Sequence, residues 1–161
     1  MTGSRPLVFL DIDGVLHDRK ARDLIRFADD PEGLATELGV SVITSYGRRL
    51  AIPDYMPSLI QRLTTSCEVW WCTTWMERAN DGIAAHLGIE ALPVVGAGTR
   101  GTSIAWKESH VRSLAIPAVA TGRVVAWIED FNGRFPNIEG LQYIDTAAKG
   151  LLDEEMLTGL L

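Results

Sequence analysis

Leu7-Val8-Phe9-Leu10-Asp11-Ile12-Asp13-Gly14-Val15-Leu16 is the stretch that decides the fold of this 161-residue chain. A short apolar run, long enough for one buried strand, stops at two carboxylates two residues apart, and Gly14 then lets the backbone turn away. In a strand, side chains at i and i+2 point to the same side, so Asp11 and Asp13 can address one reaction centre. Core packing does not ask for such a pair; delivery of acids to a site does.

The chemistry that suits the pair is a divalent cation and a phosphoryl group. Mg²⁺ prefers hard oxygen ligands and keeps several waters, so a few carboxylates plus a substrate phosphate satisfy it. An Asp beside the metal can attack phosphorus and form an aspartyl-phosphate. A second Asp, offset by two, can protonate the leaving oxygen and then take a proton from water. A calcium loop of the EF-hand type also opens on spaced acids, but it needs Gly at the sixth position and Glu at the twelfth. Here the glycine is fourth and Arg22 stands in the Glu position. A strand end with solvated acids is the remaining alternative for the pair taken alone.

Leu10-Asp11-Ile12-Asp13-Gly14-Val15-Leu16 resembles the first motif of the haloacid dehalogenase (HAD) superfamily, an apolar strand followed by D-x-D-x-[TV]. The resemblance implies three further motifs in order: a Thr or Ser closing a second apolar strand, a Lys on a helix, and an acidic pair closing another strand. Cys67-Glu68-Val69-Trp70-Trp71-Cys72-Thr73-Thr74-Trp75 supplies the second. Its apolar run reads as a buried strand that stops before a helical segment over 76–87. A hydroxyl with backbone N–H groups at such a turn receives phosphate oxygens. Thr73 takes that role, with Thr74 the alternative; an N-cap is the bland reading of either.

Lys107 supplies the third motif, in a segment with helical apolar spacing over 103–114 that Thr102 or Ser103 can cap. A cation in the first turn opposes the helix dipole unless something anionic compensates. The resemblance implies that this Lys holds nucleophile and phosphate together; a snorkelling surface lysine is the alternative. Arg123-Val124-Val125-Ala126-Trp127-Ile128-Glu129-Asp130 supplies the fourth, again a buried strand ending in acids. The family's usual pair is Asp-Asp. Glu129 reaches one methylene further, so either it ligates the metal directly or Asp130 becomes the main ligand and Glu129 supports a bound water. The tail, Leu141 to Thr146 and then Lys149 to Leu152, reads as a last strand, a turn and a short helix.

Composition fits one compact domain over 1–161: 47% hydrophobic residues can bury a single core, and 22% charged residues is ordinary for a soluble protein. Apolar runs are broken well before membrane-spanning length and no signal-peptide pattern is present, so a cytoplasmic protein is expected, with no membrane partner. Cys67 and Cys72 are five apart on one expected strand and face opposite sides, which makes them packing residues rather than a disulfide. His86 and His110 read as helix residues; His17 lies close enough to the first motif to approach the site.

Residues 18–57 form an insertion between the first motif and the second strand. It opens on a charged stretch, continues through a helix over Pro31 to Leu38, and ends in a hairpin turning at Tyr46-Gly47. Cap domains enter the resembling family here, but about 40 residues is too few for a self-sustaining cap, and a flap or mini-cap is expected. An open site admits a phosphate carried on a macromolecule. HAD domains of polynucleotide 3′-phosphatases and bacterial RNA-repair proteins are of this open kind, and the tryptophans around Thr73-Thr74 are similar to the latter. Trp75 could stack on a base, though an aromatic residue beside a strand end is more often core. The net charge of −6 works against nonspecific nucleic-acid binding, leaving a local patch of Arg19, Lys20, Arg22, Arg48 and Arg49 to attract a polyanion.

The expected architecture is an α/β, HAD-like, mostly parallel sheet with helices on both faces and no full cap. The expected activity is that of a Mg²⁺-dependent phosphoric monoester hydrolase acting on a nucleic-acid end or nucleotide. Asp11 is the nucleophile and Asp13 the acid and base; Thr73 or Thr74 and Lys107 bind phosphate. Asp11, Asp13 through its main-chain carbonyl, and Glu129 or Asp130 hold the metal. A different HAD-type hydrolase or phosphotransferase on a small metabolite, and a noncatalytic interaction domain, are the rival readings.

Overall fold

The computed structural model describes residues 4–161. Its main sheet has four parallel strands in the order β4-β1-β5-β6, formed by β1 (Leu7–Leu10), β4 (Glu68–Trp71), β5 (Val125–Glu129) and β6 (Gln142–Asp145). The first-motif strand lies between the other two motif strands. Leu10 is level with Trp71 on one side and Ile128 on the other. The residues that follow all three strands therefore emerge at one edge, where α/β sheets place their ligands.

Both faces of the sheet are covered, which is why its strands read as continuous apolar runs rather than alternating ones. Val8, Leu10, Val69, Trp71, Ala126 and Ile128 pack with α3 (Met56–Ser66) and α4 (Gly82–Leu87) through Ile60, Leu63, Ile83 and Leu87. Leu7, Phe9, Val125 and Trp127 face the other way, onto Val111 and Ala115 of α5 (Ile104–Ala120). Cys67 joins the first layer and Cys72 the second, both buried as free thiols, so the opposite-face expectation holds.

The insertion comprises α1 (Arg19–Arg26), α2 (Pro31–Leu38) and an antiparallel hairpin of β2 (Val40–Ser45) and β3 (Arg48–Pro53). Asp18 caps α1 and Asp30 caps α2, each accepting a backbone N–H three residues on, at 2.9 and 3.0 Å. Tyr46 and Gly47 both have positive φ, 50° and 72°, as a two-residue turn matched to strand twist requires. Ala21, Ile25, Val40 and Ala51 form a small separate core beneath it. His17 anchors its root: the Ala51 N–H donates to Nδ1 at 3.0 Å, and Asp18 N–H donates to Ala51 O at 2.8 Å. Burial lowers the His17 pKa and keeps the ring neutral, as an accepting Nδ1 requires. His17 thus ties Ala51 of β3 to the end of the first-motif turn and does not line the cleft described below.

Three boundaries differ from expectation. The helix expected over 76–87 is split into a 3₁₀ turn (Met76–Asn80) and α4. Met76 has φ of 53°, and the Asn80 side chain is taken up by Trp71 Nε1 and by both backbone groups of Leu92, at 2.8 Å each. α5 runs on through Pro117 to Ala120, because Ala118 and Val119 still pack on the sheet while only one helical hydrogen bond is lost. The short helix expected at 149–152 is absent; Gly150 has φ of 89°, Leu152 N–H is tied to Val15 O at 2.9 Å, and a single 3₁₀ turn follows at Glu155–Leu157. Among the described residues no helix is long and apolar enough to cross a membrane.

Candidate active site

Asp11 follows β1 directly and is buried. Beyond it the chain curls: Ile12 O accepts the N–H groups of Val15, Leu16 and His17 at 3.1, 2.8 and 3.0 Å. Gly14 serves that curl twice over. Its φ is +74°, and a Cβ there would stand 2.5 Å from Asp130 Oδ2. Its carbonyl accepts the Thr146 hydroxyl at 2.7 Å, fixing the turn against the end of β6.

Lys107 enters from the first turn of α5, whose N-cap Ser103 accepts Trp106 N–H at 3.2 Å. Only 5% exposed, its Nζ lies 2.6 Å from Glu129 Oε2 and 3.2 Å from Asp11 Oδ2. Burial opposes its charge, and the two carboxylates more than offset that, so its pKa lies above the ordinary lysine value. The dipole conflict expected for a first-turn cation is resolved by those anions. Lys107 is therefore not a surface residue, and it joins the first and fourth motifs.

Burial first, and the neighbouring Asp11 charge second, push Glu129 well above the ordinary carboxylate range despite the lysine. More negative charge converges here than Lys107 alone balances. Oxygens of Asp11, Glu129 and Asp130 lie within 4.8 Å of one another, a set of hard donors that fits Mg²⁺. Both alternatives for the fourth-motif ligand fall inside the cluster. Glu129 is engaged by Lys107, and Asp130, partly exposed, by Arg19 Nη2 at 2.8 Å.

These groups floor a cleft of about 420 Å³ that Asp13 also lines. Arg19, Arg22 and Arg48, from α1 and β3, line it as cations, and Thr74, Thr102 and Ser103 add hydroxyls. The basic patch read from the sequence is thereby divided, since Lys20 and Arg49 are exposed but do not line the cleft. Of the two threonines, Thr74 lines the cleft, whereas Thr73 is buried and its Oγ1 accepts Trp75 N–H at 3.3 Å. Thr102 and Ser103, expected only as helix caps, line the cleft as well; their place just before Lys107 is the available signal.

Trp75 takes the core reading rather than the stacking one. The side chain is 8% exposed and Arg48 lies 5.7 Å over its ring, which leaves no open face for a base. Its indole N–H donates instead to Asp13 Oδ2 at 3.0 Å.

The arrangement offers a buried carboxylate paired to a lysine, a second carboxylate two residues on, a cluster of oxygen donors and a cationic wall. Among comparisons with known proteins, the family model described as "HAD domain in Swiss Army Knife RNA repair proteins" matches residues 7–153. A search of the curated proteins returns no match.

Proposed function

We propose that this chain, which belongs to the family of HAD domains in Swiss Army Knife RNA repair proteins, is a Mg²⁺-dependent phosphatase working through an aspartyl-phosphate on Asp11. The observation that carries the reading is the meeting of Asp11 and Glu129 on the buried Lys107 amine, with Asp13 and Asp130 in the same cleft.

Asp11 attacks phosphorus as the bond to the leaving oxygen breaks, and Asp13 gives that oxygen its proton. Asp13 then takes a proton from the water that attacks the aspartyl-phosphate, releasing inorganic phosphate and restoring the Asp11 carboxylate. Lys107 orients Asp11 through its Nζ and binds a phosphate oxygen, with Thr73 or Thr74 on another. Mg²⁺, held by Asp11, the Asp13 main-chain carbonyl and Glu129 or Asp130, would neutralise charge on the transferring group.

The substrate we favour is an accessible phosphomonoester on a nucleic-acid end or a nucleotide. Three arginines on one cleft wall, in a chain of net charge −6, concentrate cations where a polyanion would lie. The family description, which names RNA repair, agrees. A cytoplasmic setting suits the two free thiols.

Turnover of p-nitrophenyl phosphate and of 3′- and 5′-phosphorylated oligonucleotides, with Mg²⁺ and with chelator, tests this. The expected result is Mg²⁺-dependent release of phosphate from both classes, with added salt raising KM for the oligonucleotides alone. Combined Glu129→Ala and Asp130→Ala substitution should lose activity that high Mg²⁺ partly restores. Metal-independent turnover would contradict the mechanism, and inert oligonucleotides beside a reactive small metabolite would contradict the substrate class.

A further inference from the structure

We infer that Trp75 is the positioning residue of the acid/base, fixing the Asp13 carboxylate through its indole N–H; this rests on the phosphatase reading above. A buried indole N–H usually finds one acceptor. Trp75, 8% exposed, spends its donor on a carboxylate at a cleft wall, Asp13 Oδ2 at 3.0 Å, rather than on a backbone carbonyl. A carboxylate otherwise rotates broadly about its terminal torsion. With Oδ2 held, Oδ1 is the oxygen left to carry the proton to and from the reacting groups.

The tryptophan is itself held from several sides. Its backbone N–H reaches Thr73 Oγ1 at 3.3 Å, tying it to the second motif. The Arg48 guanidinium, at the first residue of β3, lies 5.7 Å over its ring. Its apolar edge belongs to the core layer shared with β1 and β4. Proton-transfer geometry is thus set jointly by the second-motif turn and the inserted hairpin. This gives the buried Thr73 a task distinct from phosphate binding: it orients Trp75, while Thr74 faces the cleft.

Trp75→Phe keeps a ring for packing and for Arg48 and removes only the donor. Because an aryl leaving group needs little protonation, kcat/KM for an alkyl phosphate should fall about tenfold or more while that for p-nitrophenyl phosphate falls about threefold or less. A merely structural role would lower both equally. Independently of activity, the Trp75 indole ¹H–¹⁵N resonance, identified by its loss in the Phe variant or by selective labelling, should move on Asp13→Asn substitution. Alkyl-selective loss, or a responsive indole resonance if the Phe variant does not fold, supports the inference. Equal losses on the two esters, or an indole resonance indifferent to Asp13, overturn it while leaving the phosphatase reading intact. A wild-type chain that hydrolyses neither ester overturns both.

Discussion

Asp11→Asn is expected to lower turnover by on the order of 10⁴-fold or more, since it removes the group that attacks phosphorus. The protein should stay folded. Asn has the shape of Asp, and its neutrality eases the crowding of negative charge that already holds Glu129 above its ordinary pKa. Thermal unfolding at an unchanged or slightly higher temperature, together with lost turnover, is the expected pair of results. Residual activity within about tenfold of wild type would rule out Asp11 as nucleophile.

Lys107→Met is expected to damage stability as well as activity. The amine sits between two buried carboxylates, and deleting it removes the cation that bridges them. Breaking a buried pair by removing one partner costs about 3–5 kcal/mol, which urea denaturation resolves as a lower midpoint at unchanged slope. Adding Glu129→Gln should return part of the stability but none of the activity. A single substitution that leaves the urea midpoint unmoved would show that the lysine is not the electrostatic centre of the site.

The parts of the fold that were legible in the sequence are those where a local pattern and a global one agree. Four parallel strands, each a short run ended by a punctuating residue, announced a sheet covered on both faces. The Tyr46-Gly47 turn could be placed because a two-residue hairpin needs positive φ, which glycine supplies freely. The break at Met76–Asn80 could not be placed. It depends on Asn80 being claimed by Trp71 and Leu92, one nine residues earlier and the other twelve later, and local periodicity is blind to such partners.

The site divides along the same line. Asp11, Asp13, Lys107, Glu129 and Asp130, read from strand ends and from the order of motifs the resemblance implies, all line one cleft because the parallel register brings the strand ends to one edge. The bond between Trp75 and Asp13 was not found, since an aromatic residue after a strand reads equally as core, as a stacking surface or as a donor, and only three-dimensional proximity separates these. Nor could the sequence divide the basic patch. Arg48 and Arg49 are neighbours on a strand, and the alternation of side chains sends one to the cleft and the other away from it.

In the proposed mechanism phosphate passes through a covalent bond to Asp11. Rapid acid quench during turnover of a phosphorylated oligonucleotide, followed by mass spectrometry of the peptide containing Asp11, observes that bond directly. A transient gain of one phosphoryl group on Asp11, decaying as inorganic phosphate appears and absent from Asp11→Asn, is the predicted result. Phosphate release with no phosphorylated peptide at any quench time, or with the phosphoryl group on another residue, would contradict it.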